Sequence, residues 1–260
     1  MILVNPDTPL TPEGVAAIAT IAARQRRANG VLMKAINFVG GQVEDGLRML
    51  PKGVRGQIDS AARSALQHSY SAASRSRGGA LGRIVAGDRM HKVLATISGA
   101  LGGLGGLPTA LAELPVATTM IFRAVQGVAA AHGEDPLTEE TRMECLRVFS
   151  AGGPGTDDDG VNTSFVGARL SISGTAVNAL IGKVAPRFAA VLSQKLATQA
   201  VPVLGAAAGA GTNYAFIDYY TEMAHVHFGL RRLAIEANRD HDELVAEFRK
   251  LITAPAVKRG

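Results

Sequence analysis

Residues 51–69 read PKGVRGQIDSAARSALQHS. Val54, Ile58, Ala62, Ala65 and Ser69 recur every three or four positions, with Arg55, Asp59 and Arg63 opposite, so the stretch predicts one amphipathic α-helix opened by Pro51. A half-buried strand would need alternation at period two, and no segment of the chain alternates convincingly that way. The fold class this implies is all-α.

Working outward, Thr11-Pro12-Glu13 supplies an N-cap, a first-turn proline and an early carboxylate, and Gly30 offers a left-handed stop. A helix over 12–29 follows, with Val15, Ile18, Ala19 and Ala22 as its apolar row, and a second is expected from Val31 to Leu50. Ser74 to Gly82 (SRSRGGALG) lacks any anchoring apolar spacing and is predicted to be a linker. Further on, Pro108 opens a helix to Ala131 stopped by Gly133; Asp135 or Thr138 caps another to Phe149, ended by Gly152-Gly153. Asp157-Asp158-Asp159-Gly160 reads as a solvated acidic loop, and 165–199 as helical with Pro186 as punctuation. Asp240, with Glu243 three residues on, starts a last helix expected to bury Leu244, Phe248 and Leu251.

Two runs set the chain apart. Val93–Ala112 is 20 residues without a charge and contains Gly99, Gly102, Gly103, Gly105, Gly106 and Pro108; Leu196–Ile217 is 22 such residues, with Pro202, Gly205, Gly209 and Asn213. Each is long enough on paper to span a bilayer, and each is diluted by glycine and proline. Gly205, Gly209 and Asn213 recur every four residues, a small-residue row that lets helix backbones approach closely in membranes or in soluble cores. The expected architecture is a single helical bundle-like domain with two glycine-rich apolar segments, able to pair as a hydrophobic hairpin. Residues 1–82 form its basic N-terminal helices and linker, 83–254 the helical core continuous with them, and 255–260 a tail.

The chain has 260 residues, enough for a substantial core without disulfides, and 47% apolar against 19% charged residues excludes a wholly disordered protein. Residues 1–92 hold 13 Lys/Arg against 6 Asp/Glu, a net of +7, whereas the remainder nets −2. There are 12 aromatic residues and no Trp, and only Phe38 and Tyr70 fall in the basic part, so a base-stacking nucleic-acid reader is excluded. Arg24, Arg26, Arg27, Arg75 and Arg77 suit anionic lipid headgroups better, the plain alternative being that they solubilise helix faces. A lone Cys145, with no signal peptide before Thr11, leads us to expect a reducing cytosolic compartment and a buried helical thiol.

Catalytic signatures are missing: there is no G-x-S-x-G, G-x-x-x-x-G-K-[ST], H-E-x-x-H or C-x-x-C. The metal-like constellation is Asp218, Glu222, His225 and His227, the first three sharing a helix face. A ferritin-like dimetal site needs a second E-x-x-H, and Asp88-x-x-His91 is the nearest candidate, so an interhelical polar contact is the favoured reading and no metal or other cofactor is expected.

Ala200–Leu233, AVPVLGAAAGAGTNYAFIDYYTEMAHVHFGLRRL, resembles the hallmark stretch of the bacterial EcsC protein family, supported by GALGGLGGLPTALAELPVATTMIFRAVQ (99–126) and CLRVFSAGG (145–153). The resemblance runs in order over roughly 30–250. It implies membrane association, a neighbour among ABC transporters, and no established catalytic residues. The leading expectation is therefore a non-enzymatic helical adaptor or accessory protein of the bacterial cytoplasm, peripheral at the inner membrane. Its partner would be an anionic membrane surface or a membrane protein, and not nucleic acid. Two rivals stay open: a metal-dependent hydrolase or oxidase using Asp218, Glu222, His225 and His227, and an integral protein with a two-helix hairpin.

Overall fold

The computed structural model describes residues 10–28, 52–77, 106–150, 174–199 and 205–253. Seven helices pack together and no strand occurs among these residues: α1 (Pro12–Ala28), α2 (Lys52–Arg77), α3 (Gly106–Ala131), α4 (Glu139–Ser150), α5 (Gly174–Gln199), α6 (Gly205–Glu236) and α7 (His241–Thr253). The expected helix over 31–50, the loop at 157–160, and Gly152-Gly153 lie outside the described residues.

Helix boundaries follow local chemistry. Gly133 takes a left-handed φ of +89°, and the amides of Gly133 and Glu134 reach back to the carbonyls of Ala130 and Ala129, closing α3 as the glycine predicts. Asn238 does the same for α6 at φ +51°, its own amide bonding Ile235 O and that of Arg239 bonding Ala234 O. Thr138 Oγ1 accepts the Thr141 amide at 3.2 Å to cap α4, while Asp135 Oδ1 accepts from the Leu137 amide and shapes the turn before it. Asp240 Oδ1 caps α7 by accepting from the amides of Asp242 and Glu243.

The main core joins α2 to α6 around an aromatic centre to which each contributes a ring: Tyr70, Phe122, Phe149, Phe188 and Tyr220. Phe149 is the hub, 4.3 Å from Phe122, 4.8 Å from Tyr220 and 5.2 Å from Phe188 between ring centroids. A smaller core lies between α1, α7 and the C-terminal half of α6, where Ile18, Ile21 and Ala22 meet Val226, Leu230, Leu233, Leu244 and Phe248. With 32 residues, α6 is about 48 Å long and takes part in both cores.

Several expectations need correction. In α1 the buried row is Ile18, Ile21, Ala22 and Gln25, leaving Val15 and Ala19 exposed, because α6 meets a face rotated from the one the N-terminal residues suggested. Ser74–Arg77 is not linker but the last turn of α2. Ser74 Oγ donates to Tyr70 O and accepts from Gln126 Nε2 at 2.9 Å, and the buried Gln126 on α3 thereby holds a polar turn that carries no apolar signal. In α7, Val245 is buried and Leu251 is exposed, and it is Ile252 that packs against the core in the last turn. Leu244, Phe248 and Cys145 are buried as expected.

The hairpin is not shown. Among the described residues a single stretch, Ala112–Ala131, is long and apolar enough by composition to cross a bilayer, and most of it is buried inside the bundle. It lies mainly beyond the first glycine-rich run, of which Gly106–Ala112 opens α3; Gly205–Ile217 of the second run opens α6.

Candidate functional site

Helices α1 and α6 run close because Gly229 lets them. A Cβ built there would stand 3.3 Å from Ile21 Cδ1 and Cγ1, tighter than ordinary contact. Beside this crossing, where α3 ends, a groove of about 460 Å³ opens between α1 and α6. Arg24, His132, His225, Arg232 and Glu236 supply its polar walls, with Ile21 and Leu233 among its apolar ones.

Two ion pairs and a histidine pair organise it. Arg24 Nη1 donates to Glu222 Oε2 at 3.0 Å across the α1–α6 contact, and Arg232 Nε to Glu236 Oε1 at 2.6 Å along α6. Between them, His132 Nε2 and His225 Nδ1 face each other at 3.2 Å. Burial, then the Arg232 and Arg24 charges, push the His132 imidazole below its ordinary range.

A second polar cluster ties α4 to α6. The nearly buried Glu144 carboxylate meets Arg147 at 2.7 Å, His227 Nε2 at 2.8 Å and Arg231 Nη1 at 3.2 Å. Burial by itself would raise its pKa, but the His227 hydrogen bond and charge, with Arg231 and Arg147, outweigh that and bring it to about 2. Arg231 also reaches Glu134 at 3.0 Å and Glu140 at 3.4 Å, so one guanidinium gathers three carboxylates. His241 on α7 is held below its ordinary range by burial first, then by His227 and Arg231.

The structure separates the sequence's metal-like constellation. Glu222 engages Arg24, His227 engages Glu144 and His225 engages His132, and no three His, Cys, Asp or Glu side chains among the described residues stand together as a metal site. Those bonds are the interhelical polar contacts anticipated for Glu222, His225 and His227. His132 and Glu144 were missed because their partners lie 93 and 83 residues away, with no local spacing to reveal them.

The packing row is only partly visible. Gly99, Gly102, Gly103, Gly105 and Pro202 lie outside the described residues, whereas Gly106 and Pro108 sit in the first turn of α3, and Gly205, Gly209 and Asn213 on successive turns of α6. The buried Asn213 donates through Nδ2 to Glu113 Oε1 on α3, which brings the helical ends of the two glycine-rich runs side by side. Of the arginines proposed for headgroup contact, Arg26, Arg27 and Arg75 are exposed, Arg24 is bonded to Glu222, and Arg77 ends α2.

Fold and site define an all-α bundle whose glycine-opened helices meet at a buried Asn–Glu bond. The EcsC protein family matches residues 82–233, more than half of the chain, and the chain belongs to that family. No curated protein and no solved structure matches it.

Proposed function

We propose that the protein is a non-enzymatic, membrane-associated adaptor or accessory factor, peripheral at the inner face of a bacterial membrane, with a membrane protein such as an ABC transporter as its natural neighbour. The observation that carries this reading is the Asn213–Glu113 bond, which brings the helical parts of both uncharged runs to one place on the bundle. Next to it along the chain, Val116 and Tyr214 are exposed, at 51% and 40%. Since most of Ala112–Ala131 is buried in the bundle, membrane contact by the described residues falls to such exposed positions rather than to that helix. The net +7 of residues 1–92 supplies attraction to anionic headgroups, with Arg26, Arg27, Arg63 and Arg75 exposed on α1 and α2.

Co-sedimentation with anionic vesicles tests the apolar half of this reading. Val116→Asp combined with Tyr214→Asp should lower the bound fraction that survives high salt. Unchanged salt-resistant binding in that variant would remove these two positions from the contact.

A further inference from the structure

The two imidazoles that line the α1–α6 groove are spaced like a pair of metal ligands. When two ring nitrogens bind one tetrahedral zinc at 2.0–2.1 Å, they stand about 3.3–3.4 Å from each other. His132 Nε2 and His225 Nδ1 stand 3.2 Å apart, on residues brought together from the end of α3 and the middle of α6, and both residues line a groove of about 460 Å³. The rings are inclined at 68°, so they are not stacked face to face. We propose that His132 and His225 form a two-imidazole clip for one exchangeable borderline divalent cation of the zinc, nickel or copper class, with water completing its coordination. This goes beyond the membrane reading and does not depend on it.

The surroundings of the pair bear on the clip. As a hydrogen-bonded pair the rings leave a polar atom unused, because His132 Nδ1 is buried and has no hydrogen-bond partner. The Arg24 and Arg232 guanidiniums in the same groove are paired with Glu222 and Glu236, so their charge is met locally. Imidazole nitrogen selects zinc, nickel and copper over the oxygen-seeking magnesium and calcium.

Tag-free, chelator-stripped full-length protein titrated calorimetrically with zinc chloride at neutral pH should take up one ion per chain. His132→Gln and His225→Gln keep a hydrogen-bonding side chain, and each should weaken binding by at least about 10-fold, the loss that even outer-sphere changes cause. His68→Gln, at an exposed site on α2, should bind like the parent. Lowering the pH to roughly 5, below the imidazole range, should abolish uptake. Copper(II) bound to the parent should show coupling to two imidazole nitrogens by electron paramagnetic resonance, a readout that needs no variant to fold. The proposal is overturned by absence of saturable zinc uptake in the parent, by parent-like affinity in both glutamine variants, or by coupling to fewer than two nitrogens.

Discussion

Glu144 shows how a single buried carboxylate can stabilise the fold in a pH-dependent way. Its native pKa of about 2 lies below the ordinary 4.5, so the native state holds the charged form more strongly than the unfolded chain does. A depressed carboxylate contributes fully above its unfolded pKa and loses that contribution as pH falls through the native value, here between roughly 4.5 and 2, at on the order of 3 kcal/mol. His132 and His241 act earlier in acidification: their native pKa values are depressed, so the unfolded chain takes up protons first and stability falls once pH drops below about 6.5. Chemical denaturation across pH should therefore show two losses, one starting near the histidine range and one in the carboxylate range. Glu144→Gln should remove the lower loss and cost about 3–5 kcal/mol at neutral pH, because Arg147 and Arg231 lose a nearly buried counter-charge. A Glu144→Gln profile that keeps the low-pH loss would contradict this assignment.

At the scale of elements, the α1–α6 contact depends on Gly229. Its missing Cβ leaves Ile21 a seat, and any larger residue must push Ile21 or the helix away. Gly229→Leu should destabilise by about 1–3 kcal/mol and loosen α1 first, which thermal melts and limited proteolysis between α1 and α2 would register. Ile21→Ala should recover part of that loss, since the two sites share one contact and their effects are not additive. A Gly229→Leu protein that melts and resists protease like the parent would contradict the close approach. Much at this scale was legible in the sequence: Pro12, Gly133, Thr138 and Asp240 mark helix ends through local backbone chemistry that needs no partner. Contacts between distant segments were not. The rotation of α1 that exposes Val15, the polar last turn of α2 held by Gln126, and the meeting of His132 with His225 are set by neighbours far along the chain, where periodicity carries no information. The five-ring centre was hidden for the same reason, each ring coming from a different helix.

For the whole molecule, the proposed membrane contact combines a basic N-terminal portion with the helical parts of the uncharged runs, which meet near Asn213 and Glu113. Family membership and the all-α fold leave two kinds of attraction to be distinguished. Headgroup attraction contributes about 1 kcal/mol per basic residue near an anionic surface and weakens as salt shortens the screening length to about 8 Å at physiological strength; apolar contact does not weaken in that way. The deciding measurement is flotation of the full-length protein with anionic and with zwitterionic vesicles over a salt series, beside a variant carrying Arg26→Gln, Arg27→Gln and Arg75→Gln. The parent should float with anionic vesicles at low salt, part of the binding should persist at high salt, and the variant should lose only the salt-sensitive part. Protein that stays in the soluble fraction with every vesicle at low salt would contradict it.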